Sequence, residues 1–208
     1  YLLPVIEEKS TGKGHWSNAP MYRVLMSLVR KRPRDLVKLL TLAGRHAHTT
    51  GSEKITTGDL ESIFEEYSQG RLQDTINEYR SELPQVEKLI LGMRPSKVQR
   101  RAAQGYVYTT DQLLKKLKAI EEQGKYRWAN GNKVETKELA AFLYKINFIT
   151  ARKETSSGID RKYFEENRYL SNKFTEFGYD WEVHPAYRWA LQPEDPMQIF
   201  NELELSSI

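Results

Sequence analysis

The sequence predicts a mainly α protein with a small β wing, and three observations support this prediction. Apolar residues recur at helical spacing through most of the first half of the chain. β-Branched and alternating residues occur in two short stretches of the second half, at 148–153 and 179–185. The composition, with 39% hydrophobic and 29% charged residues, is that of a globular protein that buries a core.

We divide the 208 residues into four parts. Residues 1–20 form an irregular segment, residues 21–93 a helical subdomain, residues 94–191 a winged-helix-like domain and residues 192–208 a tail. The boundary between the two folded parts rests on the sequence Gly-Met-Arg-Pro-Ser at 92–96. Glycine commonly ends a helix, and the residue before a proline disfavours helical backbone, so the chain is expected to change direction there.

The first folded part is predicted to be entirely helical. Thr56 or Thr57 is the expected N-cap of its third helix, and Asp59 lies in the first turn of that helix. The predicted helices cover about 21–29, 35–48, 59–67, 71–80 and 84–92.

The second folded part is predicted to follow the order helix, helix, strand, insertion, strand, which is that of a winged helix with an enlarged wing. Thr109 precedes the first helix, and the second helix begins within 134–138. The strands lie at 148–153 and 179–185, and a terminal turn or helix follows to residue 191. The insertion is expected to hold an aromatic helix with Tyr163, Phe164, Tyr169 and Phe174.

The helix start at 32–35, Arg-Pro-Arg-Asp, is the stretch that points most clearly to a site. Pro33 suits a first helical turn, and Asp35 places a carboxylate near the positive end of the helix dipole. Arg32 and Arg34 are therefore held at a rigid position from which a guanidinium can face a phosphate, although helices also begin in this way without binding anything. Four of the five residues 30, 31, 32, 33 and 34 are cations, which the dipole disfavours unless an anion or an acidic side chain compensates.

Several classes of chemistry find no support in the sequence. The chain has no cysteine, which excludes disulfides, thiolate zinc sites and cysteine nucleophiles. No glycine-rich loop with a following Lys-Ser/Thr is present, and the four histidines do not have the spacing of a metal site. No apolar run approaches the roughly 20 residues of a membrane-spanning helix. We therefore expect no metal, no membrane and a cytoplasmic location.

The net charge of +4 permits an acidic partner such as nucleic acid without requiring one. The candidate phosphate contacts are Lys115, Lys116, Lys137, Arg152 and Lys153, and a solvated lysine surface explains the same residues slightly better. The aromatic residues of the last strand and helix, and Tyr126 and Trp128, would be stacking platforms in a single-strand binder. A place in the core or in an interface is the better explanation for such rings.

Four short segments resemble the C-terminal lid and winged-helix region of bacterial AAA+/STAND-type P-loop ATPases. They are Arg-Pro-Arg-Asp-Leu-Val-Lys-Leu at 32–39, Tyr-Ser at 67–68, the helix-to-strand step at 143–149 and the closing strand at 181–188. The resemblance implies that Arg34, with Arg32 next, reaches the γ-phosphate of ATP, bound with Mg²⁺ by a preceding core. The Walker A and Walker B elements are missing, so we expect a C-terminal fragment whose partner is the missing ATPase core.

Three functional hypotheses follow. In the first, the chain relays the nucleotide state of such a core through Arg34 to a winged-helix interaction domain. Alternatively, it binds DNA through the helix at 135–146 and the wing near Lys153. In the third hypothesis it is an interaction scaffold that forms a homo-oligomer, and the late aromatic side chains are exposed in the isolated chain and buried in the oligomer.

Overall fold

The computed structural model describes residues 5–12, 16–30, 32–96, 105–156, 158–171 and 178–191. About 54% of the described residues are helical, and a small antiparallel sheet of four strands accompanies the helices. The predicted fold class, mainly α with a small β part, is confirmed. In the described part of the chain, no helix combines the length and apolarity needed to cross a membrane.

The described elements are seven α-helices, one short 3-10 helix and four strands. The α-helices are α1 Met21–Leu28, α2 Pro33–Thr49, α3 Thr57–Tyr79, α4 Val86–Gly92, α5 Thr110–Gln123, α6 Thr136–Lys145 and α7 Pro185–Leu191. The strands are β1 Val107–Tyr108, β2 Ile149–Thr155, β3 Gly158–Lys162 and β4 Asp180–Val183, and the 3-10 helix is Arg168–Ser171.

The chain divides into two compact units. The first contains the described residues of 1–71, 155–159 and 185–208, and the second those of 72–154 and 160–184. The predicted boundary after residue 93 falls inside the second unit, and the tail predicted at 192–208 lies outside the described residues.

The first unit has a core built by α1, α2, the first part of α3, and α7. Thr56 is the N-cap of α3, as predicted: its Oγ1 accepts from the N–H of Asp59 at 3.2 Å, and Oδ2 of Asp59 accepts from the N–H of Thr56 at 2.8 Å. The core side chains include Trp16, Val24, Leu28, Leu39, Ala43, Leu60, Phe64, Tyr67, Ala186 and Trp189.

Two helices predicted separately, at 59–67 and 71–80, form one continuous helix, α3. Ser68, Arg71 and Thr75 are all buried, so the inward face of the helix continues through a stretch that the apolar pattern does not mark. The residues that extend this face are polar, which is why hydrophobic periodicity missed the connection.

The second unit contains β1, β4 and most of β2 and β3, and the strand order in the sheet is β1-β4-β2-β3. β4 pairs antiparallel with both neighbours, Val107 facing Glu182 on one side and Ile149 facing Val183 on the other. The predicted order of helix, helix, strand, insertion and strand is observed. Asn147 makes the turn between α6 and β2 with φ of 54°, a left-handed conformation that asparagine tolerates better than most residues.

The prediction of an aromatic helix in the insertion is wrong. Residues 158–162 form β3, whose buried residues alternate, and a 3-10 helix follows at Arg168–Ser171. The two buried positions of β3 are Ile159 and Arg161, and a buried arginine hides the alternation from a hydrophobicity pattern. Phe174 lies outside the described residues.

Replacing Thr109 by alanine tests the cap of α5. Thr109 Oγ1 accepts from the N–H of Gln112 at 3.3 Å, and the Gln112 side chain accepts from the N–H of Thr109 at 3.0 Å. We expect Thr109→Ala to lower the free energy of unfolding by about 1 kcal/mol, measured by urea denaturation. Thr41→Ala, on the exposed surface of α2, should change it by less than about 0.5 kcal/mol. Equal losses for the two variants would contradict the assignment of the cap.

Candidate functional site

The start of α2 is built as the sequence indicates. Pro33 is the first helical residue, and Arg32 before it has extended backbone with φ of −103° and ψ of 122°. Leu39 and Ala43 are buried in the core of the first unit, and Leu36 and Leu40 pack against it. The helix is therefore anchored along one face, and its first turn has a fixed position.

The side chain of Asp35 is completely buried and is held by two arginines. Arg30 binds it with two hydrogen bonds, from Nε to Oδ2 at 2.7 Å and from Nη2 to Oδ1 at 3.2 Å. Arg71 donates from Nη1 to Oδ1 at 2.5 Å. Arg30 is 1% exposed and Arg71 3% exposed, so all three charges lie away from water. The acidic side chain that compensates the cations of this stretch is thus Asp35, acting on Arg30.

Two tyrosines complete this group, which we call the Asp35 cluster: Arg30, Asp35, Tyr67, Arg71 and Tyr187. Arg30 donates from Nη1 to the Tyr187 hydroxyl, and its Cζ lies 5.4 Å from the Tyr187 ring centre. Arg71 Cζ lies 5.8 Å from the ring centre of Tyr67, whose hydroxyl donates to the Leu28 carbonyl at 3.2 Å. The cluster therefore connects α2 with α3 and α7.

The charged groups of the cluster stabilise one another in their ionised forms. Burial by itself raises the pKa of Asp35, but the hydrogen bonds and charges of Arg30 and Arg71 outweigh burial and hold that pKa below its ordinary value. Burial lowers the pKa of Arg30, but Tyr187 and Asp35 reverse this effect and raise the pKa overall. Burial, followed by the charge of Asp35, raises the pKa of Tyr67. The carboxyl group of Asp35 and the guanidinium of Arg30 are thus charged at neutral pH, and the phenol of Tyr67 is neutral.

The structure separates the cations that the sequence places together at 30–34. Arg30 is buried, Arg32 is half-buried, Arg34 is exposed and Lys31 lies outside the described residues. The two arginines predicted to face a phosphate are therefore those that retain contact with solvent. Nothing in the structure tests that role, and it stays a prediction.

Arg71 and Tyr187 are the members of the cluster that the sequence did not suggest as part of this site. Arg71 follows Tyr67 by four residues and so lies on the same face of α3, which is the one local signal of its burial. Tyr187 is 157 positions from Arg30, so no local pattern could identify the contact.

The five candidate nucleic-acid contacts differ in exposure. Lys115, Lys137 and Lys153 are exposed. Lys116 is half-buried, donates from Nζ to the carbonyl of Arg94 at 2.8 Å, and lies 5.7 Å from the ring centre of Tyr108. Burial lowers the pKa of Lys116. The DNA-binding hypothesis therefore rests mainly on the three exposed lysines and stays a prediction.

Arg152, the fifth candidate, belongs to a second buried ion cluster. It is 5% exposed, and its Nε lies 3.7 Å from Oε2 of Glu182, which is fully buried. Arg161 donates from Nε to the same carboxylate, and Thr150 Oγ1 donates to it at 3.4 Å. These contacts within the sheet account for the charge of Arg152 without a nucleic acid.

The late aromatic side chains lie in the protein interior. Trp181 is 3% exposed, Trp189 is 3% exposed and Tyr187 is fully buried. Trp181 packs edge-on against Tyr144 at 5.3 Å and donates from Nε1 to Thr110 Oγ1 at 3.0 Å. The scaffold hypothesis expected these rings to be exposed, and that expectation is wrong because each unit buries them in its own core.

Among the described residues, no group of three or more His, Asp or Glu side chains is arranged to hold a metal ion. His46 instead pairs through Nδ1 with Oδ1 of Asp59 at 2.6 Å. That contact joins α2 to the first turn of α3, and its role is structural.

Comparison with known proteins finds a family match in the N-terminal part of the chain. The model of the FunZ-associated C-terminal helical domain matches residues 8–76, which include α1, α2 and most of α3. A protein of Escherichia coli (strain K12), the putative transposon gamma-delta 80.3 kDa protein, is 28% identical over 189 residues. That alignment covers 85% of this chain and 26% of the relative, so the chain spans about a quarter of the relative's length. No solved structure matches.

Replacing Asp35 by asparagine tests the energetic weight of the cluster. The substitution leaves two buried guanidinium groups without their carboxylate, so we expect a loss of about 3 kcal/mol or more in the free energy of unfolding. Glu65→Gln removes the same charge from an exposed position of α3 and should cost less than about 0.5 kcal/mol. Urea denaturation of both variants measures the difference, and a loss below about 1 kcal/mol for Asp35→Asn would contradict the proposed weight.

The lowered pKa of Asp35 predicts the pH range in which its contribution disappears. A carboxyl group whose pKa is lower in the folded state stabilises the fold above its unfolded-state pKa, ordinarily 3.8, and loses that contribution as the pH falls through the folded-state value. The stability difference between the wild type and Asp35→Asn should be constant from about pH 7 to pH 5 and shrink below about pH 4. Denaturation at each pH measures it, and a difference that grows in acid would contradict the assignment.

Proposed function

We propose that this chain is the C-terminal regulatory part of a P-loop ATPase. Arg34 approaches the terminal phosphate of ATP bound by an upstream core, and the Asp35 cluster passes the resulting displacement of α2 to the rest of the chain. ATP and Mg²⁺ are ligands of that core, and this chain contributes the arginine.

The observation that carries the proposal is the burial of Asp35. An acidic residue in the first turn of a helix repels an incoming phosphate if its charge is exposed. Here the Asp35 carboxylate is 0% exposed and is paired with two arginines. The first turn of α2 therefore presents the exposed Arg34 and the positive end of the helix dipole, which together suit a phosphate.

The Asp35 cluster also links α2 to the segments of the chain that lead into the second unit. It ties α2 to Arg71 of α3 and to Tyr187 of α7. In the sequence, Arg71 is the last residue before the chain enters the second unit, and Pro185 is the first residue after it leaves that unit at 184. A displacement of α2 therefore acts directly on two segments that continue into the second unit.

The similarities support only the general part of this proposal, that the chain is a C-terminal part of a larger protein. The matched family is described as a C-terminal helical domain, and the match includes both Arg34 and Asp35. The chain corresponds to about a quarter of its relative, which supports the idea that it works as part of a larger protein. The P-loop ATPase assignment itself comes from the motif at 32–39 and the segments that resemble this class.

The test is the ATPase rate of the longer protein that carries this chain behind its core. Arg34→Ala should reduce turnover by about 100-fold, because it removes a guanidinium from the developing charge on the transferred phosphate. Arg32→Ala should have a smaller effect, because the half-buried Arg32 is the second choice for this role.

Arg45→Ala is the matched control. Arg45 is exposed on the same helix, about three turns beyond Arg34, and its loss should leave turnover unchanged. Normal turnover in Arg34→Ala would show that this arginine does not contact the nucleotide. Equal losses in Arg34→Ala and Arg45→Ala would show that the charge of α2, and not a specific contact, matters.

A further inference from the structure

A small pocket lined by aromatic and charged side chains lies within the second unit. Three aromatic rings and three charged groups form its wall: Trp128, Phe142, Phe164, Glu82, Glu138 and Lys145. None of these residues belongs to the Asp35 cluster or to the five candidate nucleic-acid contacts. The pocket therefore has a chemistry that the proposed function does not use.

The size of the pocket restricts its occupant. Its volume is about 240 Å³. This is below the range of about 300–1,000 Å³ that is typical of pockets for drug-sized ligands. A single side chain from another molecule is a better match for the space.

The aromatic part of the wall is preorganised. Trp128 meets Phe142 edge to face, with ring centres 5.6 Å apart and planes at 71°. Phe142 is 2% exposed and anchored in the core, whereas Trp128 and Phe164 are half-buried. Phe164 already has a cation beside it, because Cζ of Arg168 lies 5.9 Å from the centre of its ring. The half-buried ring of Trp128 is therefore the one that can receive a further cation on its face.

The charged side chains in the wall are two carboxylates and one ammonium. Lys145 Nζ lies 2.6 Å from Oε1 of Glu82, so these two charges compensate each other. Glu138 is exposed, and its Oε2 accepts from the N–H of Glu135 at 2.8 Å. That bond uses one oxygen of a carboxylate that can accept several, so Glu138 can still bind a cation.

We propose that this pocket binds an arginine side chain of a partner protein. The planar guanidinium stacks on the half-buried ring of Trp128 and donates to Glu138, while its alkyl part fills the apolar space. A lysine ammonium lacks the planar face needed for stacking, and the carboxylate of Glu138 repels a phosphate. This proposal stands on the geometry of the second unit and does not depend on the ATPase assignment.

The intrinsic fluorescence of the complete chain provides the readout. Of its four tryptophans, Trp16, Trp181 and Trp189 are 2–3% exposed, whereas Trp128 is half-buried and lines the pocket. A titration with the peptide acetyl-Gly-Arg-Gly-amide should change the emission saturably in the millimolar range. The same peptide with citrulline in place of arginine keeps the shape but lacks the charge, and it should bind about threefold to tenfold more weakly.

Glu138→Gln tests the carboxylate. Glutamine keeps the hydrogen bond to the N–H of Glu135 and so preserves the start of α6. We expect the variant to bind the arginine peptide about threefold or more weakly, while Glu122→Gln, an exposed acid outside the pocket, binds it as the wild type does.

Three results would overturn the proposal. The first is the absence of a saturable signal with the arginine peptide, and the second is equal binding of the peptide with lysine in place of arginine. The third is a Trp128 signal with oligothymidylate that Glu138→Gln leaves unchanged or strengthens, which would identify a stacking site for single-stranded nucleic acid. Unchanged circular dichroism of each variant ensures that a lost signal reports binding.

Discussion

The burial of Asp35 between two arginines is the constraint on which the first unit depends. Three charges removed from water are tolerated only if each has its partner in place, because an unpaired buried charge costs several kcal/mol. Arg30 precedes α2, Asp35 lies in its first turn and Arg71 comes from α3. These three segments therefore have one acceptable arrangement, and Tyr187 extends the requirement to α7.

A similar arrangement of buried charges occurs in the second unit, where Glu182 lies between Arg152 and Arg161 within the sheet. Each unit thus contains one buried carboxylate with two buried arginines. Such groups contribute less net stability than apolar side chains of the same volume, but they penalise every wrong arrangement strongly. We infer that they define which helices and strands are neighbours, and the apolar core supplies most of the stabilisation.

The same burial decides which charges remain for function. Of the cations at 30–34, Arg30 is used inside the fold, and Arg34 is exposed on a helix start whose own carboxylate is already neutralised. In the second unit Arg152 is used inside the sheet, while Glu138 remains exposed beside aromatic rings. The two sites that we propose in this chain of net charge +4 are therefore opposite in character, one for an anion and one for a cation.

The sequence by itself determined the fold class, the first two helices and the two longer-range strands to within a few residues, and the caps, with Thr56 or Thr57 for α3 and Thr109 for α5. These features depend on periodicity, caps and turns, which act over a few residues. Only the tertiary structure decided that α3 is continuous, that the insertion contains β3 and a short 3-10 helix, and that Asp35, Arg71 and Tyr187 meet. Arg71 lies 36 positions from Asp35, and Tyr187 lies 157 positions from Arg30. From the sequence alone an arginine is expected at the surface, because the distant carboxylate that pairs with it is not known.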